Sequence, residues 1–116
     1  MKITNDGKSI VFTGDATEEE EITAVAASIK ADVLKVSHHG SKTSSSFEFL
    51  QAVNPELAII SVGADNKFGH PAPETLEKLQ AIGAKVLRTD QAGNIKVVFD
   101  GSNCTWYSYR YQGNYF

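Results

Sequence analysis

Apolar and polar positions alternate along the chain in blocks that predict strands and helices in succession. Two short segments, 2–4 and 9–12, flank the Asp6-Gly7 pair, and an Asp-Gly pair in this setting is a strong hairpin signal. The run 57–62 is apolar except for Ser61, as in a strand that is covered on both faces. The other strands are predicted at 33–36, 86–87, 94–99 and 105–111.

The first helix is predicted to begin at Thr17, which is followed by Glu20 at the position that a capping box requires. The acidic run 18–21 matches the positive end of the helix dipole, and we expect it to be solvated. One apolar stripe of this helix is predicted to be buried, and it consists of Ile22, Val25, Ala26 and Ile29.

A second helix is predicted from Phe47 to Val53, where Asn54-Pro55 ends it. Pro73 begins a third helix, and the turn-forming segment 90–93 joins the strands that follow. Strands and helices that alternate in this way predict an α/β layered domain with a mixed sheet and three helices.

Composition narrows the choice of function without selecting one. The chain of 116 residues is long enough for one domain, and a net charge of −3 gives it no broad basic surface. Any contact with nucleic acid therefore has to be local or to use metal ions. The single cysteine, Cys104, excludes an internal disulfide and a cysteine-based zinc site. No membrane span or signal-peptide core is found, so the chain is expected to be soluble, and a parent protein could still be attached to a membrane with this domain outside the cytoplasm.

Side chains that could act in catalysis or metal binding lie just beyond three predicted strands, where α/β sheets usually place their sites. They are Asp15 after Gly14, the pair His38-His39, and His70 before a proline. Asp15 could simply be a turn residue or a helix cap, and the histidines could be loop or helix-start residues. Two adjacent histidines on an extended segment point to opposite sides, so at most one of them is expected to face a given metal.

The ordered set of motifs resembles the metallo-β-lactamase-fold domain of ComEC-type competence proteins. The segments that carry the resemblance are 12–15 (Phe-Thr-Gly-Asp), 31–44 with its Ser-His-His-Gly-Ser core, 58–63, and 68–71 (Phe-Gly-His-Pro). The resemblance implies an αββα sandwich with two divalent metal ions, zinc or manganese, at one edge of the sheets. It also implies a nuclease or phosphodiesterase that acts on DNA, or on another phosphodiester, during DNA uptake.

The resemblance assigns a role to each candidate residue. Asp15 resembles the aspartate that bridges the two metals, and His39 resembles the last metal ligand. His38 would then line the site or contact phosphate, although the roles of His38 and His39 could be exchanged. His70 resembles a histidine that binds phosphate or transfers a proton. Hydroxyls and one cation that could contact substrate come from Ser41, Lys42, Thr43 and Ser44.

A departure from the family pattern limits what the chain can do. The family carries a His-x-His-x-Asp-His motif in the N-terminal half of the domain, and this sequence does not contain it. Residues 1–116 are therefore interpreted as a single partial domain, the C-terminal half of the sandwich. We expect at most one weakly bound metal ion, no useful hydrolysis by the chain alone, and a need for the missing N-terminal half. The chain is also expected to self-associate through an exposed sheet face.

Two alternatives to the nuclease hypothesis stay open. The same fold could hydrolyse a lactone or another small ester, because fold does not fix substrate. The chain could also be a non-catalytic binding module that reuses the half-fold.

Overall fold

The computed structural model describes residues 1–14, 21, 29–101, 103–110 and 112–115. Its larger sheet has five strands, whose order in space follows their order in the sequence. They are β1 (Lys2–Asn5), β2 (Lys8–Phe12), β3 (Val33–Lys35), β4 (Leu57–Ile60) and β5 (Lys85–Arg88). β1 is antiparallel to β2, and each later strand is parallel to the one before it. The sheet is therefore mixed, as predicted.

The hairpin prediction at Asp6-Gly7 is confirmed. Both residues have positive φ angles, 48° and 84°, which a two-residue hairpin of the favoured hand needs. This turn pairs Asn5 with Lys8 and places β1 at the edge of the sheet.

Three α-helices occur among the described residues: α1 (Phe47–Val53), α2 (Pro73–Ala81) and the one-turn α3 (Thr89–Ala92). α1 and α2 confirm two predicted helices. The Ser46 hydroxyl caps α1 by accepting from the Phe49 amide at 3.2 Å, and Asn54 ends it in the left-handed conformation. α3 replaces the turn that was predicted at 90–93. The helix predicted from Thr17 falls largely outside the described residues.

The C-terminal part of the chain forms a second, antiparallel sheet. Its strands are β6 (Ile95–Asp100), β7 (Asn103–Ser108) and β8 (Gln112–Tyr115). The prediction of one strand over 105–111 is wrong, because the chain leaves β7 after Ser108. The amides of Tyr109 and Arg110 donate to the carbonyls of Asn94 and Ala92, which bends the chain towards α3.

The two faces of the larger sheet form two separate cores. On one face, strand residues including Leu34 and Ile60 pack against α1 and α2 through Phe49 and Leu79. The other face is covered by the smaller sheet, and its cluster consists of Ile10, Val33, Leu57, Ile59, Leu87, Cys104 and Trp106. Both faces are thus apolar and covered, which explains why the four residues of β4 are all apolar.

Self-association stays a prediction. In the described part of the chain, the large apolar side chains that remain exposed lie on β1, in loops or at strand and helix ends; they are Met1, Ile3, Phe12, Phe47, Phe68, Tyr107 and Tyr109. No helix in the described ranges is long and apolar enough to cross a membrane.

Candidate functional site

The candidate site lies where β2, β3 and β4 end. Because these strands are parallel, their carboxyl ends meet at one edge of the sheet, and the segments that follow them are neighbours. Two hydrogen bonds join the segments after β2 and β3. The Thr13 hydroxyl donates to the Lys35 carbonyl at 2.7 Å, and the His38 amide donates to the Gly14 carbonyl at 2.8 Å.

The segment after β3 is a tight turn, Ser37–Gly40, that carries both adjacent histidines. His38 and His39 have φ angles of 49° and 54°, in the left-handed region, so the expected extended conformation is wrong. Non-glycine residues rarely adopt this conformation, and two in succession need support from the surrounding structure. The two imidazole centroids are 6.4 Å apart, and the His38 centroid is 5.9 Å from that of His70. The fold therefore gathers all three histidines.

One hydrogen bond fixes the ring of His39. Its Nδ1 atom lies 2.7 Å from the Ser61 carbonyl oxygen at the end of β4. A carbonyl oxygen can only accept, so Nδ1 carries the proton and donates. In the neutral form of the ring, Nε2 then keeps its lone pair, and the side chain is exposed. This is the arrangement by which metal-binding histidines are usually oriented, and it favours His39 over His38 as a metal ligand.

Gly40 allows the histidine turn to pack against the segment that precedes α2. A Cβ atom at Gly40 would lie 2.6 Å from Cβ of Pro71, and the φ angle of Gly40 is 79°. The Gly40 carbonyl also accepts from the Ala72 amide at 2.9 Å. The peptide bond between His70 and Pro71 is cis. Close approach at Gly40 thus sets the position of His70 relative to the other histidines.

Asn66 organises the loop that carries His70, although it was not among the residues predicted from the sequence. Its Oδ1 accepts from the amides of Phe68 and His70, at 3.2 and 2.9 Å. Its Nδ2 donates to the carbonyls of Gly63 and His70, at 3.1 and 2.7 Å. Asparagine commonly organises turns through such side-chain to backbone bonds, and the Gly-Ala-Asp-Asn composition of 63–66 was the available signal.

The pKa of His70 lies below its ordinary value of 6.5. Burial is the main cause, and the nearby His38 and His39 add to it because like charges disfavour protonation. The imidazole of His70 is therefore mostly neutral near pH 7. In that form it can donate one hydrogen bond and accept a proton.

The four predicted substrate-contacting residues differ in accessibility. Lys42 and Thr43 are exposed. Ser41 is buried, and its hydroxyl lies 3.0 Å from that of Thr43. Ser44 is fully buried, and its hydroxyl donates to the carbonyls of Ser37 and Ser41, both at 3.4 Å. The hydroxyl of Ser44 is thus used within the loop, and Lys42 and Thr43 are the members that face solvent.

The side chain of Glu21 holds this loop through hydrogen bonds. It is buried, so the prediction that the acidic run is solvated is wrong at this residue. Its side chain is only 1% exposed. One carboxylate oxygen accepts from the Ser37 hydroxyl and the Ser45 amide, both at 2.9 Å, and the other accepts from the Ser46 amide at 3.2 Å. A buried carboxylate with several donors is stable where an unpartnered one would not be. The other members of the run lie outside the described residues.

Of the predicted metal ligands, His39 lies in the described part of the chain. Asp15 lies outside the described residues, although the residue before it, Gly14, is bonded to the histidine turn. In the ranges that are described, no group of three or more His, Cys, Asp or Glu residues is arranged to hold a metal ion. The oriented imidazole of His39 fits a ligand role, and a complete site would need donors beyond it.

The chain is similar to proteins of bacterial competence. It is 49% identical over 92 residues to ComE operon protein 3 of Bacillus subtilis, a match that covers 78% of this chain and 12% of that protein. It is 36% identical over 99 residues to Competence protein ComA of Neisseria gonorrhoeae, covering 83% of this chain and 14% of that protein. Recombination protein 2 of Haemophilus influenzae is 40% identical over 98 residues, covering 84% and 12%. No family model matches.

The names of these relatives support a setting in competence and do not identify a chemical activity. The chain spans between 12% and 14% of the length of the relatives that it matches. A competence DNA-uptake family therefore fits this chain, and a role in competence is supported by the names of the relatives.

Proposed function

We propose that this chain is the C-terminal half of a metallo-β-lactamase-fold domain and supplies one side of a metal-dependent phosphodiesterase site that acts on DNA during uptake. The observation that carries the proposal is the orientation of His39 by the Ser61 carbonyl at 2.7 Å, beside two further histidines. The similarity to competence proteins supports DNA as the substrate class.

Each residue has a distinct part in this proposal. Nε2 of His39 and the carboxylate of Asp15 would hold a divalent ion, zinc or manganese, together with ligands from outside this chain. When bound, such ions supply hydroxide near neutral pH and neutralise the non-bridging oxygens of the phosphodiester. His38 lines the site within 5.9 Å of His70, ring centroid to centroid.

His70 is suited to proton transfer because its lowered pKa keeps it neutral near pH 7. A neutral imidazole can donate its N–H to a phosphate oxygen and can take up a proton as negative charge gathers beside it. Asn66 holds the backbone of His70 on both its amide and its carbonyl side, so the ring is placed before substrate arrives.

The test uses a hybrid in which this chain replaces the matching segment of the Bacillus subtilis relative. We expect the hybrid to hydrolyse a labelled single-stranded oligonucleotide when Mn²⁺ or Zn²⁺ is present, and the isolated chain to show no hydrolysis. His39→Asn should lower the rate at least about tenfold, the scale of losses at metal sites. Asparagine is chosen because it tolerates the left-handed conformation of residue 39.

Glu77→Gln, on the exposed side of α2, is the matched control and should leave hydrolysis unchanged. A folded hybrid that cleaves a small ester or lactone and spares DNA would replace the proposed substrate. Equal hydrolysis by the hybrid and its His39→Asn variant would refute the metal-ligand assignment.

A further inference from the structure

Phe68 is an exposed aromatic side chain at the border of the histidine cluster. It is 70% exposed, although large aromatic residues normally bury most of their surface. Its ring stacks on that of His70, with centroids 5.7 Å apart and planes inclined by 26°. Its amide is held by Asn66 Oδ1 at 3.2 Å. Phe68 is thus an aromatic surface that is positioned in advance and open to solvent.

A groove with a volume of about 290 Å³ runs from Phe68 to the loop after the histidine turn. It lies near the lower end of the roughly 300–1,000 Å³ that small-molecule sites occupy, so it suits a unit of about one nucleotide. The residues that line it include Lys42, Thr43, Phe68, His70 and Glu74.

The lining combines an aromatic ring with a cation and a hydroxyl. Lys42 and Thr43 are exposed lining residues, and the Lys67 ammonium lies over the Phe68 ring, 5.5 Å from its centroid. Glu74 adds one carboxylate to the lining. An aromatic face beside amines is the combination by which proteins bind single-stranded nucleic acid without sequence preference.

We propose that this groove is a nucleotide subsite, in which the Phe68 ring stacks on one base of single-stranded DNA and Lys42 and Thr43 contact an adjacent phosphate. The inference rests on the proposed function, because it names how that site holds its substrate. The net charge of −3 makes broad electrostatic attraction to DNA weak, so a local stacking contact has to supply much of the affinity. His70, against which Phe68 stacks, then lies next to the phosphate of the stacked nucleotide.

The test measures binding by fluorescence anisotropy in the presence of a chelator. The probes are a labelled thymidine oligonucleotide of about 12 nucleotides, within the usual site size, and an abasic strand of equal length and charge. Stacking is lost with the base, so the intact chain should bind the thymidine strand more tightly than the abasic strand, by at least the factor that Phe68→Leu removes. Phe68→Leu should weaken binding of the thymidine strand by roughly 5- to 150-fold, the range that loss of one stacked base implies, and leave the abasic strand unchanged.

Two controls separate stacking from charge and from general loss of an aromatic residue. Lys42→Gln should weaken binding to both strands equally and make the slope of log affinity against log salt shallower by about 0.7, the contribution of one phosphate contact to a single strand. Tyr109→Leu removes another exposed aromatic residue, 85% exposed and away from the groove, and should change neither affinity. Thermal unfolding of each variant checks the fold, which an exposed side chain should not affect.

Equal affinity for the two strands, equal losses in Phe68→Leu and Tyr109→Leu, or no measurable binding of the thymidine strand would overturn the subsite. Because a chelator is present, the outcome does not depend on metal chemistry. Base-dependent binding through Phe68 together with a hybrid that fails to hydrolyse DNA would keep this inference and reject the proposed function. The reverse pair of results would reject the subsite alone.

Discussion

Gly40→Ala is the substitution that most directly tests how the site is held together. The new Cβ atom would lie 2.6 Å from Cβ and 3.1 Å from Cα of Pro71, so a side chain and a backbone both have to move. The left-handed φ of 79° adds roughly 1–2 kcal/mol for any residue with a Cβ atom. Overpacking of this kind typically costs about 1–3 kcal/mol. We therefore expect a loss of about 2–5 kcal/mol in the free energy of unfolding.

Gly83→Ala is the matched control for the backbone contribution. Gly83 has a nearly equal φ of 77°, and a Cβ atom there would meet nothing within 4 Å. Its loss should be limited to roughly 1–2 kcal/mol. The difference between the two variants isolates the close approach of Gly40 to Pro71.

Urea unfolding followed by fluorescence provides the assay, because Trp106 is the single tryptophan and is buried between the two sheets. Gly40→Ala should lower the midpoint more than Gly83→Ala does. Equal shifts of the urea midpoint in the two variants would show that Gly40 and Pro71 can separate without loss of stability, which would refute the expected overpacking.

Three further predictions concern buried or titrating groups. Glu21→Gln should lower the free energy of unfolding by about 1–3 kcal/mol, since one carboxylate oxygen becomes an amide group that faces a backbone N–H. Glu77→Gln changes an exposed side chain and should alter this free energy little. Similar urea midpoints for the two variants would contradict the buried network. Burial raises the pKa of the fully buried Cys104 thiol, so this thiol should resist a thiol reagent until urea unfolds the chain. Prompt labelling in native buffer would argue against the packing of the two sheets. His70 has a folded-state pKa below 6.5, so the unfolded chain binds more protons and the His70 contribution to stability falls as the pH drops through 6.5 towards the folded value. In a chelator, His38→Asn should raise the NMR-measured pKa of His70 part of the way to its ordinary value, and an unchanged or lower pKa would refute the coupling.

Structural features that depend on interactions between neighbouring residues were predictable from the sequence. The Asp6-Gly7 hairpin, the end of α1 at Asn54 and the proline that begins α2 each depend on residues that are close in the sequence. The edge location of the three histidines was also predictable, because parallel strands bring their carboxyl ends together. The resemblance to competence proteins agreed with the relatives found by comparison.

Features fixed by distant contacts were not predictable. In the sequence, Glu21 looks like any other residue of an acidic helix start, and its partners Ser37 and Ser45 are 16 and 24 residues away. The bend after Ser108 depends on carbonyls of Asn94 and Ala92 that lie on other elements. The spacing of apolar residues predicts helices and strands, but it carries no information about such long-range hydrogen bonds.

The histidine turn shows why the site could be located and yet its conformation was missed. Two left-handed non-glycine residues cost roughly 2–4 kcal/mol, which the hydrogen bond within the turn, from the Ser41 amide to the His38 carbonyl, does not offset alone. Three hydrogen bonds do so, from the His38 amide to Gly14, from His39 Nδ1 to Ser61, and from the Ser41 amide to His38, and at roughly 0.5–1.5 kcal/mol each they are of comparable size. Two of the three partners lie at the ends of other strands. The histidines therefore hold their positions only when β2 and β4 are in place, so formation of the site is coupled to folding of the sheet.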